Sequence, residues 1–180
     1  MPAAKNNLGW WIAGIGLVIL VAYAMGKFLD SVLASLDDWQ PDGKHTSEIA
    51  HRTALAKYLR SRLSDRSIIE EYRKERSHAD IAVGNASTGL EQSNEKIALE
   101  LKYLLKDKGE ADRLVGQCVG YQATGFSKVV VLLIDADPNT IEVLKNRAAA
   151  SSLSGFMLLR SFSTEPRQRQ TAYAKTSNTP

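Results

Sequence analysis

The longest apolar stretch of the chain lies close to its amino terminus. No charged residue occurs between Asn6 and Gly26, and residues 10–23 are apolar throughout. A helix of about 20 apolar residues can cross a bilayer core roughly 30 Å thick with every backbone polar group bonded internally. Aromatic and basic residues flank the run where the membrane interfaces would lie. The pattern therefore predicts one N-terminal transmembrane helix over residues 8–27 and a single-pass membrane protein.

The same run has a second interpretation as a cleavable signal peptide. Lys5 precedes the apolar residues, and residues 22–24 (Ala-Tyr-Ala) have the small-x-small form of a cleavage site. The run exceeds the roughly 7 to 15 residues of a signal's apolar region, which favours a retained anchor. Basic residues are nearly balanced across the span, so the positive-inside rule gives little preference. We place the soluble domain in the cytoplasm on its expected function, with secretion after cleavage as the alternative.

Composition divides the chain into successive parts. The predicted parts are a membrane segment over 1–27, a stalk over 28–45, an α/β domain over 46–162 and a tail over 163–180. The tail lacks large aliphatic residues, and we expect it to be disordered. Small residues along the span could pack two copies into a homo-oligomer: Gly9, Ala13, Gly14 and Gly16.

The hydrophobic period changes repeatedly along the α/β domain. Helical spacing of apolar residues predicts helices over 46–63, 109–124 and 138–150. Alternating or continuous apolar runs predict strands over 68–73, 78–83, 96–103, 128–134 and 156–162. Turn-forming residues at 84–89 predict an antiparallel hairpin. The apolar stripe of the first helix is Ile49, Leu55, Leu59 and Leu63, and that of the second includes Leu114, Val115, Cys118 and Val119. This order predicts an α/β fold, a mixed sheet flanked by helices.

Composition limits the chain to one soluble domain. With 180 residues, 44% of them hydrophobic, it can bury one core of its own. The net charge of +3 permits a nucleic-acid partner without requiring one. The single cysteine, Cys118, cannot form an internal disulfide and is expected to be a packed core residue.

Two acids and a lysine are expected to meet on the predicted hairpin. Because strand side chains alternate, Glu100 and Lys102 share one face, and the hairpin places Asp80 beside Glu100. Mg²⁺ is usually held by one or two carboxylates together with phosphate and water. Lys102 could orient an attacking water or help to deprotonate it. On the helix that follows, Arg113, Gln117 and Tyr121 are spaced by four residues and should lie on one side.

These residues and their order resemble the PD-(D/E)XK nuclease superfamily, which has the restriction-endonuclease-like fold. The resemblance covers about residues 46–162. In that superfamily an acid on the second core strand, an acid-x-Lys on the third strand and a glutamine on the next helix form the active site. The matching residues here are Asp80, Glu100, Lys102 and Gln117. The helix is also similar to the Gln-x-x-x-Tyr motif of RecB-type exonucleases, through Gln117 and Tyr121.

The resemblance implies an endo- or exonuclease that hydrolyses DNA phosphodiester bonds, with Mg²⁺ as cofactor and Mn²⁺ as a substitute. The metal ligands it implies are Asp80, Glu100, the backbone carbonyl of Leu101, and Glu48. The catalytic residues it implies are Asp80, Glu100, Lys102 and Gln117, and the substrate contact is Tyr121. Arg113 is a further candidate substrate contact, because arginine binds DNA phosphate without reading sequence, and its alternative is a solvated charge. The chain departs from the family pattern at Ala79, where a proline is usual, and Glu48 has no local motif around it.

Other function classes fit the same sequence. The fold could be retained without catalysis, as a module that tethers nucleic acid or a protein partner to the membrane. The domain could instead be a structural or assembly protein that contacts its partners through the stalk and tail. Asp80 and Glu100 could also be solvent-facing strand residues paired with lysines, in ion pairs worth only about 0–1 kcal/mol.

Overall fold

The computed structural model describes residue 23 and residues 26–75, 77–93 and 95–164. Most of the predicted membrane span, 8–27, and of the predicted tail, 163–180, lies outside the described residues. Among the described residues, no helix has both the length and the apolar character needed to cross a bilayer.

The chain divides into two compact units, Met1–Asp38 and Trp39–Pro180. In the first unit, residues 26–37 form a helix, α1. The second unit begins ahead of the domain start predicted at residue 46. The buried ring of Trp39 packs edge-on against Phe162, with 5.3 Å between the ring centroids. Part of the segment assigned to the stalk therefore packs with the last strand of the α/β unit.

The second unit is an α/β fold with a five-stranded mixed sheet flanked by helices, as the sequence predicted. Its elements are α2 (Glu48–Arg62), β1 (Arg66–Lys74), β2 (Ser77–Asn85), α3 (Gly89–Gln92), β3 (Ile97–Tyr103), α4 (Lys108–Ala123), β4 (Lys128–Ile134), α5 (Pro138–Ala150) and β5 (Met157–Phe162). The strands follow one another in chain order across the sheet. β1, β2 and β3 pair antiparallel, whereas β3, β4 and β5 pair parallel. The parallel pairs are joined by α4 and α5, because a parallel pair needs a crossover connection.

The connection between β2 and β3 makes a turn at residues 86–88, within the predicted stretch, and continues beyond it. It contains the short helix α3, whose Leu90 is buried against the sheet. Leu90 lies close to Gly84, where a Cβ would come within 3.2 Å of the leucine side chain. The burial of Leu90 therefore accounts for a short packed helix between the predicted turn and β3.

Helix α2 begins where predicted but buries a different face. The Ser47 side chain accepts a hydrogen bond from the backbone N–H of Ala50 at 3.2 Å, which caps the helix. Ile49, predicted to be buried, is 63% exposed, whereas His51 is fully buried together with Leu55. His51, Leu55 and Leu59 follow each other at intervals of four residues, so they form one stripe, and Ile49 lies off it.

Helix α4 packs against the sheet through a stripe that includes a tyrosine. Its buried residues are Ala111, Leu114, Val115, Cys118 and Tyr121. Val119, predicted to belong to the stripe, is 45% exposed. The prediction for Cys118 is confirmed, because the residue is fully buried, and burial raises the pKa of its thiol to about 12.

The layer formed by α4 and α5 covers the sheet face that carries Ala98, Val129 and Val131. Because side chains alternate along β3, Glu100 and Lys102 belong to the same face as Ala98. The predicted active-site residues of β3 thus extend the largely apolar face on which α4 packs.

Candidate active site

The structure brings Asp80 and Glu100 together where β2 and β3 separate. The ladder between these strands ends at the pair Ile81 and Leu99, so Asp80 and Glu100 are the next residues on each strand. Beyond the ladder, the Asp80 side chain still joins the two strands, because its Oδ2 accepts a hydrogen bond from the backbone N–H of Leu101 at 2.8 Å. Both acids are buried, with only 7% of Asp80 and 2% of Glu100 exposed.

The environment of Glu100 disfavours its charged form. Burial raises its pKa, and the nearby Asp80 raises that pKa further. The ammonium of Lys102 lies 3.0 Å from Oε1 and favours the charged form. Oε2 is 2.5 Å from the hydroxyl of Tyr121. The net upward shift of the pKa means that Glu100 holds its proton to a higher pH than an exposed glutamate does.

Lys102 lies between two glutamates. Its Nζ is 3.1 Å from Oε1 of Glu48 and 3.0 Å from Oε1 of Glu100. Burial works to lower the pKa of Lys102, but the attraction of Glu100 and then of Glu48 outweighs it, and the pKa is raised overall. Lys102 is therefore a positively charged hydrogen-bond donor, which favours an orienting role over deprotonation of a water.

Glu48 reaches the candidate site from the first turn of α2. Besides its contact with Lys102, its Oε2 accepts a longer hydrogen bond from the backbone N–H of Tyr103 at 3.5 Å. A carboxylate in the first turn is favoured by the partial positive charge of the helix N-terminus. The sequence had no local motif to mark Glu48, and what places it is the docking of the start of α2 against the end of β3.

Tyr121 is buried beneath Glu100, with 1% of its surface exposed. Its hydroxyl lies 2.5 Å from Oε2 of Glu100 and 2.7 Å from the backbone carbonyl oxygen of His78. A phenol has one proton to donate, so it can serve only one of these oxygens at a time, and a proton on Glu100 would satisfy the other contact. The sequence predicted a substrate contact for Tyr121. Its burial leaves almost no surface for a ligand and favours a role in holding Glu100.

A cavity of about 270 Å³ opens beside Lys102, and residues of β3, α2 and α4 line it. Its lining includes Gln117 and Arg113 of α4 together with Glu48 and Lys102. Gln117 and Arg113 were predicted from their spacing on the helix. Both line the cavity that Lys102 also lines, where a ligand could reach them.

Arg52 is part of the site and was missed by the sequence analysis. Its guanidinium contacts Oδ1 of Asp80 through Nη1 at 3.4 Å and Oε1 of Glu71 through Nη2 at 2.6 Å. The side chain is largely buried. One sequence signal could have found it, since Arg52 follows Glu48 by four residues and so lies on the same side of α2.

The donors present suit a hard divalent cation held by two carboxylates. Asp80 and Glu100 supply oxygen ligands of the kind that Mg²⁺ prefers, and Mg²⁺ takes its remaining ligands from water and phosphate. Within the part of the chain that the structure describes, no three His, Cys, Asp or Glu side chains are grouped to hold a metal. Glu48 contacts Lys102, and its place in a ligand set stays a prediction, as does that of the Leu101 carbonyl.

Comparison with known proteins adds no further assignment. No protein-family model, curated protein or solved structure matches this chain. The functional argument therefore depends on the side-chain geometry described above and on its chemistry.

Proposed function

We propose that this protein is a Mg²⁺-dependent nuclease of the PD-(D/E)XK type, anchored to the membrane by residues 8–27, that hydrolyses phosphodiester bonds of DNA. The observation that carries the proposal is the meeting of Asp80, Glu100 and Lys102 at one end of two adjacent strands. The five-stranded mixed sheet and the helix that follows β3 are in the order that the resemblance implies.

The two buried acids would hold the metal, together with the backbone carbonyl of Leu101. When bound, Mg²⁺ would neutralise phosphate oxygens and stabilise the leaving oxygen, and Mn²⁺ could replace it. The N–H of Leu101 fixes one oxygen of Asp80, and the hydroxyl of Tyr121 contacts one oxygen of Glu100. These contacts limit rotation of the carboxylates, which keeps the ligand oxygens in place.

Lys102 would orient the attacking water or a phosphate oxygen as a charged donor. Its ammonium is held between Glu48 and Glu100, so its position is set from two sides. Gln117 and Arg113, which line the same cavity, would contact the sugar-phosphate backbone, and Gln117 could instead position Lys102. Such contacts position a nucleic acid without reading its sequence.

The proposal is tested by a cleavage assay with the full-length protein on single- and double-stranded DNA and on RNA. We expect Mg²⁺-dependent cutting of DNA that falls about 100-fold or more in Lys102→Ala, the range found when a preorganised hydrogen-bond donor to the transition state is removed. Lys145→Ala is the matched control, because Lys145 lies on α5 and pairs with exposed Glu142. Undiminished cutting by a folded Lys102→Ala protein would remove the mechanism.

A second candidate is an inactive module that tethers nucleic acid to the membrane. It is favoured by one observation: each carboxylate oxygen of Asp80 and Glu100 already has a partner within the protein. Those partners are Arg52, the Leu101 N–H, Lys102 and Tyr121. DNA binding with no cutting under Mg²⁺ or Mn²⁺ would select this function.

A further inference from the structure

Arg52 divides its guanidinium between two carboxylates. One nitrogen contacts Asp80 at 3.4 Å and another contacts Glu71 at 2.6 Å, while the buried Nε has no hydrogen-bond partner among the described residues. A guanidinium binds one carboxylate most strongly through two parallel hydrogen bonds. Arg52 makes no such paired contact with Asp80, so its hold on that acid is the weaker kind.

The two oxygens of Asp80 have different partners. Oδ2 accepts the buried hydrogen bond from the backbone N–H of Leu101, which does not depend on Arg52. Oδ1 faces the guanidinium of Arg52. Oδ1 has the longer contact, so it is the oxygen that a cation can take over more easily, while the backbone hydrogen bond to Oδ2 keeps the carboxylate oriented when Arg52 withdraws.

Glu71 is placed at Arg52 by an unusual backbone conformation. The β1–β2 ladder pairs Glu70 with Ile81 and Tyr72 with Ala79, and it omits Glu71, whose φ is +51°. Consecutive residues of a regular strand point to opposite faces. Here Glu70 and Glu71 both contact α2, through Arg60 and Arg52 respectively. The left-handed conformation makes this possible, and such conformations in non-glycine residues concentrate at functional sites.

We propose that Arg52 competes with a divalent cation for Asp80, and that Glu71 is the acceptor that retains the guanidinium when the cation binds. This inference rests on the proposed metal site. Arg52 is then a built-in counter-ion that weakens metal binding, and Glu71 limits this competition by drawing the positive charge away from Asp80. Removing either member of the pair changes metal affinity, and the two changes have opposite signs.

The test is direct titration of the full-length protein with Mn²⁺, in which free Mn²⁺ is followed by electron paramagnetic resonance. Arg52→Gln removes the competing charge, so the Kd should fall about tenfold, the scale on which residues around a metal site act. Glu71→Gln leaves Asp80 as the carboxylate that Arg52 contacts, so the Kd should rise by a similar factor. Arg60→Gln and Glu70→Gln are the matched controls, because this pair joins the same two elements at 2.9 Å and does not contact Asp80. Both controls should keep the Kd of the unmodified protein.

The outcomes separate this proposal from the nuclease proposal. If Arg52→Gln and Glu71→Gln both weaken binding, the pair only supports the local structure and the competition is disproved. The Glu71 side chain is half exposed, so Glu71→Gln should fold even where Arg52→Gln does not. An unchanged or lower Kd in Glu71→Gln is by itself enough to overturn the proposal, whatever Arg52→Gln shows. Absence of Mn²⁺ binding in the unmodified protein and all variants overturns both this proposal and the metal site itself.

Discussion

The Glu100 side chain couples the stability of the domain to pH. Burial and the charge of Asp80 raise its pKa above the ordinary value of 4.5. Between 4.5 and the raised value, the folded protein keeps a proton that the unfolded chain releases. The free energy of unfolding therefore falls as pH rises through this window, by at most about 1.4 kcal/mol for each unit of pH.

Glu100→Gln should remove this part of the pH dependence. Glutamine has nearly the same shape and carries no charge, so as the pH rises from 4.5 the variant should lose less stability than the unmodified protein. Urea denaturation across this range with a chelator present measures the difference. Glu142→Gln, at an exposed position of α5, is the control and should follow the unmodified protein. Parallel curves for Glu100→Gln and the unmodified protein would contradict the assignment.

Tyr121 should contribute to stability through its hydroxyl group. Tyr121→Phe leaves Oε2 of Glu100 and the carbonyl of His78 without this partner inside the protein. Burying unsatisfied polar groups of this kind costs about 1–3 kcal/mol, and we expect a loss of that size in urea denaturation. Tyr58→Phe is the matched control, because the Tyr58 hydroxyl accepts an exposed hydrogen bond from Arg62. Its effect should stay within about 0.5 kcal/mol, and equal losses in the two variants would contradict the special role of Tyr121.

At the level of elements, the sequence predicted best where local signals agree. β4 and α5 were predicted with the bounds that the structure has, because an apolar run ends at Ile134 and Asp137 then caps a helix that starts with Pro138. Alternation along β3 likewise predicted the shared face of Glu100 and Lys102 correctly. These features depend on neighbours in the sequence, and for that reason a single sequence was enough.

The sequence failed where a contact joins distant segments. Ile49 and Val119 continue apolar spacing but lie exposed, because spacing alone does not fix the centre of the buried stripe. Arg52 reaches Asp80 because α2 docks beside β2, and its other partner, Glu71, leaves the regular strand conformation. No local pattern in a charged strand predicts a left-handed residue, so the contact between Arg52 and Glu71 could not be found from the sequence. Only the four-residue spacing from Glu48 indicated the side of α2 on which Arg52 lies.

The cap of α2 should matter for the site as well as for the helix. Ser47→Ala removes the hydrogen bond to the N–H of Ala50 and should cost about 1 kcal/mol of stability. The adjacent Glu48 should then hold Lys102 less firmly, and we expect the cleavage rate to fall. Asp137→Ala removes the equivalent cap of α5, which is bonded to Thr140. Asp137→Ala should lower the free energy of unfolding by a similar amount while the cleavage rate stays unchanged. Equal cleavage rates in the two variants would show that the α2 cap does not affect the site.

At the scale of the whole molecule, residues just before α2 and just after β5 pack or hydrogen-bond to the rest of the α/β unit. Trp39 packs on Phe162, and the hydroxyl and N–H of Thr164 both donate to the carboxylate of Asp135. The predicted domain, 46–162, omits Trp39 and Thr164. The boundary was placed at residue 46, the predicted start of the first helix, and a single tryptophan in a polar segment gives no indication of the strand it will meet.

Trp39 should therefore contribute to the stability of the α/β unit even though it precedes the first helix of that unit. Truncating a buried tryptophan to alanine costs about 3–5 kcal/mol, and for Trp39→Ala in the full-length protein we expect a loss of that size and a lower Tm. Thermal and urea denaturation followed by circular dichroism measure it. Trp39→Phe keeps an aromatic ring that can meet Phe162, so it should recover most of the loss. If Trp39→Ala instead melts like the unmodified protein, the contact with Phe162 adds nothing to stability and a domain that starts at residue 46 would be sufficient.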